Sequence, residues 1–537
     1  MEILIVIPKY IYNHLGKEPN YNYFVPIGMG YISSVLKKEG YSVNCLNLNH
    51  FYGTVDEILN KELNSKKYDT ICTGGMAINY AIIEKIINIS RAHKSNPLVI
   101  VGGQIITSEP ELMIKSLGFD IGVIGEGEET IIELMRCIEK NGNLKNVEGI
   151  CYKDKENIII TEERKPTIDL DKIPYPDLKA IEYEKVLDKM ACNDVLFGAL
   201  DYPRVYILYG SRGCPFNCTF CYHLEKKYRQ RSINNIIEEI KFAIDEYKIN
   251  SFILVDDLFS VKKERLIDFC GRIKELNKKV DGGLKWRCSL WVGGADREVF
   301  KTLKEAGCCS ISCGFESYSP IVLKSMKKPI TPSQIDNVIK LSIEYKIPLE
   351  GNFIFGDLAE TKETAKETLD YWEKNCEGQV KLFFIHPYPD SEIYISCVKR
   401  KIIKDKLEYI KNYIHHTNII NMTNKMNNED FEWLKKEVYR LKKKYEKSVI
   451  PKKIKKSSGG RYKVYAKCPF CGVENVFKNC RIANIRYYSL LTTCRECRMK
   501  YYIMNRLYKF TSDHYLGLDF LRKTYLIARD NFLKRKL

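Results

Sequence analysis

The sequence predicts an α/β protein with two successive parallel sheets and a small cysteine-rich module near its C-terminal end. Short apolar segments alternate with amphipathic helical segments over residues 1–140 and again over residues 204–385. Such alternation is typical of parallel strands joined by crossover helices. The module is indicated by two C-x2-C pairs within residues 468–497.

The first series predicts an open, Rossmann-like parallel sheet, because its apolar segments are short and the segments between them have helical periodicity. Strands are predicted over 3–8, 42–48, 70–73, 98–101 and 121–124, and helices over 28–39, 80–92, 110–117 and 129–140.

Three turns that follow these strands contain glycine. Ligands of open α/β sheets bind beyond the carboxyl ends of the strands, where such turns lie. No turn has the G-x-G-x-x-G pattern of a dinucleotide site, which disfavours a nicotinamide or flavin domain. Each turn alone is equally consistent with tight backbone geometry. The glycines concerned are Gly74, Gly75, Gly102, Gly103, Gly125 and Gly127.

The second series predicts a partial (β/α)6 TIM-like barrel, whose chemistry lies at the C-terminal ends of its strands. A hairpin over 147–161 and a proline-punctuated connector over 170–176 separate it from the first series. Its strands are predicted over 205–209, 251–255, 284–288, 309–314, 349–355 and 380–385, and its helices over 232–247, 262–276, 296–306, 331–345 and 360–375.

A C-x3-C-x2-C cluster follows the first barrel strand, at Cys214, Cys218 and Cys221. Three thiolates on one loop can hold three irons of a cubane cluster and leave the fourth iron open to another ligand. A structural zinc site with His223 as its fourth ligand is the alternative, although the mouth of a barrel is an unusual place for a purely structural metal.

This cluster resembles the signature of the radical S-adenosylmethionine (SAM) superfamily, C-x3-C-x-aromatic-C, with Phe220 as the aromatic residue. The resemblance implies a [4Fe-4S] cluster that binds SAM and cleaves it reductively to a 5′-deoxyadenosyl radical. It also implies that Asp256 or Asp257 contacts the methionine amino group, and that the segments at 351–356 and 387–389 wall the adenine. The implied ribose-binding segment comprises Gly314, Glu316 and Ser317.

With this barrel downstream, the first 140 residues resemble the cobalamin-binding domain of one radical SAM subgroup. The resemblance rests on the glycine turns and on the segment at 26–30. It implies cobalamin bound through backbone at those glycines. The D-x-H-x-x-G motif is absent, because Tyr12 replaces its Asp and Gly16 comes one position too early after His14. We therefore expect base-off cobalamin without a histidine ligand. A relic domain that contacts substrate or partner is the alternative.

The C-terminal cysteines Cys468, Cys471, Cys494 and Cys497 form two knuckles that match a four-cysteine zinc ribbon. A second iron–sulfur cluster is the alternative, with Cys480 spare. The chain has a net charge of +18, with +23 in residues 398–537 and −5 in residues 1–397. The basic region is predicted to contain a charged helix over 430–447 and a flexible linker over 452–460. Its charges are either a solvated face or a site for RNA or a phosphate-bearing carrier.

These observations divide the chain into six regions. The expected division is 1–140, cobalamin-binding-like domain; 141–200, hairpin and linker; 201–397, radical SAM barrel; 398–460, basic helical linker; 461–505, zinc-ribbon-like module; and 506–537, basic tail.

Composition predicts a soluble, cytoplasmic protein. Apolar residues make up 45% and charged residues 29% of the chain, which excludes a wholly disordered or low-complexity sequence. No signal peptide or stretch of about 20 apolar residues is found. The 20 cysteines are therefore expected as reduced thiols and metal ligands.

The resemblance favours a cobalamin-dependent C-methyltransferase acting on a small or carrier-bound biosynthetic substrate, with flavodoxin or ferredoxin as electron donor. Three alternatives stay open: a non-methylating radical SAM cyclase or oxidoreductase, an RNA methylthiotransferase-like enzyme that uses the basic tail, and a binding module without catalysis. The transferase family has three further N-terminal cysteines, whereas Cys45, Cys72 and Cys137 here lack its local motif and fit apolar packing.

Overall fold

In the computed structural model, two parallel sheets follow one another along the chain and a small β-rich module packs beneath the second. The structure describes residues 1–10, 19, 23, 25–189, 204–225, 227–259, 261–414, 419–482 and 485–513. Tyr12, His14 and Gly16, on which the axial-ligand expectation rests, lie outside the described residues, as do residues 514–537 of the expected tail.

The first sheet has seven strands in the order β2-β1-β3-β4-β5-β6-β7, and β1 to β5 are parallel. The hairpin expected between the two sheets instead extends this one, because β6 pairs antiparallel with β5. The strands are β1 Glu2–Ile7, β2 Ser42–Asn47, β3 Thr70–Gly74, β4 Leu98–Gly102, β5 Ile121–Val123, β6 Ile150–Asp154 and β7 Asn157–Ile160. The helices are α1 Ile27–Lys38, α2 Val55–Ser65, α3 Tyr80–Ala92, α4 Gln104–Ser108, α5 Pro110–Leu117, α6 Gly127–Glu139 and α7 Tyr183–Lys189.

The second sheet has six parallel strands in sequential order, and its edge strands β8 and β15 do not pair, so the barrel is open. A short antiparallel ribbon, β9 with β10, stands above β8. The strands are β8 Val205–Leu208, β9 Ser211–Arg212, β10 Arg229–Gln230, β11 Ser251–Leu254, β12 Lys285–Ser289, β13 Cys308–Glu316, β14 Leu349–Phe355 and β15 Lys381–Phe384. The helices are α8 Ile233–Tyr247, α9 Lys263–Asn277, α10 Arg297–Glu305, α11 Pro320–Ser325, α12 Pro332–Glu344, α13 Lys362–Asn375 and α14 Glu392–Lys399.

Two apolar clusters contain residues of both domains, and the one that lies between α3 to α5 and the end of the barrel is called here the shared core. It joins buried residues of α3 to α5, such as Tyr80 and Met113, to residues that follow β15, such as Tyr394 and Tyr409. The shared core is completed by ion pairs of Lys406 with Glu109 and of Lys411 with Glu84. The domains are therefore fixed to one another by burial of apolar surface.

The segment expected as a basic helical linker belongs to the folded body. Helix α16 buries Phe431, Leu434, Val438 and Leu441 in the barrel core. The flexible linker expected over 452–460 is wrong, because β17 pairs with β18 there. These elements are α15 Lys406–Glu408, α16 Asn428–Tyr445, β16 Ser448–Val449, β17 Lys453–Lys456, β18 Arg461–Lys467, β19 Glu474–Arg481, β20 Ser489–Thr493, β21 Lys500–Met504 and α17 Arg506–Asp513.

The C-terminal module contacts the base of the barrel, where the strands begin. The Lys500 Nζ atom donates to the carbonyl oxygens of Leu349, at the start of β14, and Gln379, just before β15, at 2.8 and 2.6 Å. Burial lowers the pKa of Lys500 to about 8. The cysteine loop lies at the other end of the strands. In the described part of the chain, no helix is long and apolar enough to span a bilayer.

Candidate functional site

The cysteine loop connects β9 to β10 at the C-terminal end of the first barrel strand. Gly213 begins it with a φ of +76°, and a Cβ there would lie 2.6 Å from the carbonyl oxygen of Lys227 at the far end of the loop. Glycine is therefore required where the two ends cross. Backbone bonds of Thr219 with Met326 and Ile393 fix the middle of the loop, at 3.1 and 2.9 Å.

The three loop cysteines lie within one electrostatic environment. Burial raises the pKa of Cys218 to about 11 and that of Cys221 to about 12, and Glu316 and the Cys214 thiol raise both values further. Lys328 acts in the opposite direction on both. The site thus combines three sulfur donors with a neighbouring cation, a donor set that suits a cluster of iron.

Lys328 forms an ion pair with Glu316 of β13, with 2.9 Å between Nζ and Oε1. Burial alone would lower the pKa of Lys328, but Glu316 and the loop thiols hold it above its ordinary value. A Cβ at Gly314 would lie 2.1 Å from the Glu316 Oε1 atom, so glycine leaves room for this pair. Glu316 itself has a φ of +62°, a strained conformation that is frequent at functional sites.

The expected SAM contacts separate into cavity-facing and inward-facing side chains. Asp256 is buried and accepts bonds from the Gly210 amide and the Ser211 hydroxyl, at 2.7 and 2.6 Å, and burial raises its pKa to about 6. Asp257 instead lines a cavity and raises the pKa of Cys214. Ser317 is buried and bonds to Thr368.

Phe220, the aromatic residue of the cysteine motif, packs against the shared core, which contains residues of both domains. The motif thereby contacts both domains. Since Phe220 directly precedes Cys221, this packing restrains the third cysteine.

The glycine turns of the first sheet surround one cavity of about 480 Å³. All six predicted glycines line it: Gly74, Gly75, Gly102, Gly103, Gly125 and Gly127. Its opposite wall comes from the barrel, at Ser211, Arg212, Gly213 and Asp257. One cavity therefore contacts both the carboxyl edge of the first sheet and the start of the cysteine loop.

Two of these glycines are required by the turns themselves. A Cβ at Gly74 would lie 2.2 Å from the Gly102 carbonyl oxygen, and one at Gly103 would lie 2.8 Å from that of Gly75. A Cβ at Gly102 would meet only Val123, at 3.7 Å. Close backbone approach thus creates the cradle, whether or not a ligand contacts each glycine.

Comparison with known proteins matches the two halves of this site to two families. The model "Radical SAM superfamily" matches residues 208–371, and the model "B12 binding domain" matches residues 20–135. The chain is a radical SAM enzyme with a B12-binding domain. The family implies a [4Fe-4S] cluster, SAM and cobalamin.

Relatives and a solved structure agree with this assignment. The chain is 28% identical to an uncharacterized methyltransferase of Pyrococcus horikoshii, over 70% of this chain and 79% of that one. It is 26% identical to the anaerobic magnesium-protoporphyrin IX monomethyl ester cyclase of Cereibacter sphaeroides, over 68% and 59%. The fold resembles the radical SAM methyltransferase TsrM from Kitasatospora setae, solved with cobalamin and a [4Fe-4S] cluster, with a TM-score of 0.61, 16% identity and coverage of 74% and 78%.

Two arginines at the ends of the radical SAM cysteine loop bind the B12-binding domain. Arg229 donates to both carboxylate oxygens of Glu126, at 2.9 and 2.6 Å, and Arg212 donates to Glu128 at 2.5 Å. Burial favours the protonated form of Glu126, but Arg229 and Arg212 hold its pKa below the ordinary value. Sequence reasoning did not predict this contact.

The four C-terminal cysteines of this radical SAM enzyme converge. Their sulfur atoms all lie within 4.8 Å of one another. The distances are 3.7 Å between Cys468 and Cys497 and 3.6 Å between Cys471 and Cys494. A tetrahedral zinc ion with Zn–S bonds of about 2.3 Å requires sulfur separations of about 3.8 Å. The donor set therefore fits zinc.

Proposed function

We propose that this radical SAM enzyme is a cobalamin-dependent C-methyltransferase that acts on a small or carrier-bound biosynthetic substrate. The observation that carries the proposal is the cavity between the two domains, because it contacts the six glycines of the B12-binding domain and the start of the cysteine loop together. A substrate there would lie between the barrel mouth and the glycine turns that would hold cobalamin.

When bound, the cluster and SAM supply a 5′-deoxyadenosyl radical that removes hydrogen from carbon, and cobalamin supplies the methyl group. In this proposal Cys214, Cys218 and Cys221 are the cluster ligands. Lys328 supplies positive charge beside their thiolates, and its bond to Glu316 orients that carboxylate.

The assignment of SAM contacts follows the exposure of each side chain. We assign the methionine amino contact to Asp257, which lines the cavity beside Cys214, rather than to the buried Asp256. Gly314 and Glu316 are the proposed ribose contacts. Ser317 holds that segment in place through its bond to Thr368.

The first experiment tests the radical half. Anaerobically reconstituted protein should hold the barrel cluster and form 5′-deoxyadenosine from SAM under reduction with dithionite or flavodoxin. Cys214→Ala should abolish the product, whereas Cys270→Ala, a buried barrel cysteine remote from the loop in sequence, should retain it. Equal product from the two variants would refute the assignment of the loop.

The second experiment tests cobalamin in the cavity. Gly28 lines the cavity on α1, and no atom lies within 4 Å of a Cβ placed there. Gly28→Phe should therefore occupy the cavity without straining the fold and weaken hydroxocobalamin binding at least about tenfold. Gly271→Phe is the matched control, because Gly271 also lies in a helix with open space around its Cβ and does not line the cavity. Equal dissociation constants for the two variants would contradict cobalamin binding here.

A non-methylating cyclase or oxidoreductase is the second candidate, supported by the similarity to the Cereibacter cyclase. The two candidates differ in their products. Each methylation by our proposal should yield one S-adenosylhomocysteine and one 5′-deoxyadenosine, whereas the cyclase should yield 5′-deoxyadenosine alone. Liquid chromatography of a turnover with the native substrate separates them.

A methylthiotransferase would need a second cluster on N-terminal cysteines. Cys45 lies on β2 and Cys72 on β3, and β1 separates these two strands in the sheet. Burial raises the pKa of Cys72 to about 12 and that of Cys45 to about 11. They pack in the sheet core with Cys137 at its margin. We therefore expect four irons, rather than eight, in a chain with all four C-terminal cysteines changed to serine.

We also propose that Cys468, Cys471, Cys494 and Cys497 hold a structural zinc ion. Metal analysis of the intact protein should then give four irons and one zinc. Eight irons with no zinc would instead indicate a second cluster. Cys480 is not needed in either case, because it lies half-buried on β19 with its sulfur against the Phe477 carbonyl oxygen.

A further inference from the structure

The outer face of the C-terminal sheet β17-β18-β19 carries cationic side chains that neither domain of the proposed site uses. Side chains alternate between the two faces of a sheet. The register pairs Lys453 with Tyr465 and Lys455 with Lys463. These four side chains therefore share one face, which we call the basic face. Its other members by register are Arg461, Lys467, Glu474, Val476 and Arg481.

The opposite face of this sheet is its buried side. Val464, Ala466 and Phe477 pack there with Ile454 in the core of the module. On the basic face, Lys453, Lys455, Lys467 and Arg481 are exposed, and Lys463 and Tyr465 are half-buried. The two faces therefore differ: apolar residues cover most of one face, which carries Lys456 at its edge, and four lysines occupy the other.

The charge of the module is strongly one-sided. Residues 448–513 contain 15 Lys and Arg residues against 3 Asp and Glu residues. The only acid on the basic face, Glu474, pairs with Lys452 at 2.9 Å. A polyanion would therefore meet little repulsion on this surface.

An aromatic ring lies among the lysines. The Lys463 Nζ atom lies 5.5 Å from the centroid of the Tyr465 ring. Cations that track a backbone, combined with an aromatic ring on which a base can stack, are typical of surfaces that bind single-stranded nucleic acid. An anionic membrane would attract the same lysines, but it has no planar bases to stack on Tyr465, and the basic face offers only the half-buried Val476 as an aliphatic side chain for insertion.

We propose that the basic face binds single-stranded nucleic acid. The lysines contact phosphates and Tyr465 stacks on a base. The module contacts the base of the barrel through Lys500, whereas the cysteine loop lies at the other end of the strands. This surface therefore tethers the enzyme without taking part in radical formation, and the inference does not depend on methylation.

The test uses the intact chain and a fluorescein-labelled 20-nucleotide oligouridylate in anisotropy titrations. Five phosphate contacts would give a slope of log Kd against log salt of about 3.5, so binding should weaken about 100-fold between 50 and 200 mM salt. Lys453→Glu/Lys455→Glu/Lys463→Glu should weaken binding at least about 30-fold at 50 mM salt. Tyr465→Ala should weaken it about tenfold.

The matched control changes three exposed lysines elsewhere on helices: Lys61→Glu/Lys301→Glu/Lys340→Glu. It alters net charge equally and should leave oligonucleotide affinity within about threefold. Both triple variants should retain metal content and 5′-deoxyadenosine formation. Equal affinity for the two triple variants would overturn the proposal, as would tighter binding to phosphatidylserine vesicles than to the oligonucleotide. Absence of 5′-deoxyadenosine from the unsubstituted chain would refute the proposed function and leave this inference standing.

Discussion

Replacing Arg229 by Met should loosen the cysteine loop from the B12-binding domain. The Arg229 side chain is 3% exposed, and it donates to both oxygens of Glu126 and, at 2.6 Å, to the Thr167 carbonyl. Removing one partner of a buried pair costs about 3 to 5 kcal/mol, because the other charge stays buried. Arg212 lies 3.3 Å from Glu126 and still neutralises it, so we expect the lower value.

Hydrogen exchange measured by mass spectrometry checks this expectation at peptides that cover 211–231. A loss of about 3 kcal/mol corresponds to about 150-fold faster exchange, since each factor of ten is about 1.4 kcal/mol. Arg136→Met is the control, because its pair with Glu39 is on the surface with Arg136 57% exposed, and a surface pair contributes at most about 1 kcal/mol. An acceleration below fivefold in Arg229→Met would refute the reasoning.

Three further predictions concern single residues. Asp256→Asn should raise the melting temperature at pH 7.5 but not at pH 4. Burial raises the pKa of the Asp256 carboxyl from 3.8 to about 6, so the folded state is fully stable with respect to this group only below pH 3.8. As the pH rises through 6 the protein loses up to about 3 kcal/mol of unfolding free energy, which the neutral asparagine would not lose. Gly103→Val should unfold the B12-binding domain, because the new Cβ would collide with the backbone of Gly75, and circular dichroism would detect the lost structure. Gly118→Ala is the control: Gly118 has a φ of +66° and open space around its Cβ, so this change should lower the free energy of unfolding by only about 1 kcal/mol. Cys494→Ser should remove the C-terminal metal, which elemental analysis would show, and should accelerate hydrogen exchange in β20 and β21. Unchanged hydrogen exchange in these strands would contradict a structural role for that metal.

The sequence predicted the parallel strands well because most of them are apolar and lie between amphipathic helices. The strand β14 Leu349–Phe355 and the helix α3 Tyr80–Ala92 have the predicted bounds. Helix α2 is not among the predicted helices, although the capping box of Thr54 and Glu57 marks its start. Strand β17 was mistaken for a linker because three of its four residues are lysines, which an edge strand tolerates.

The candidate site was predictable only where ligands share a short motif. The loop cysteines and the glycine turns are local patterns. The bond between Arg229 and Glu126 joins residues 103 positions apart, and neither residue stands out in its own segment. Lys328 was missed because its role depends on the strained turn at Glu316, which no local pattern reveals. Asp256 and Asp257 are adjacent, so only three-dimensional structure separates their orientations.

The shared core limits how cobalamin would reach the cavity that we propose for it. Separating the domains would expose Tyr80, Met113, Tyr394 and Tyr409 to water together, at about 25 cal/mol for each Å² of apolar surface. A cofactor that needed such separation would have to be captured during folding. The cavity instead has a mouth at Gly28 and Met76, where the chain surface is open. Loading through that mouth would leave the packing between the domains intact, so we expect protein made without cobalamin to bind it when it is added to the folded chain.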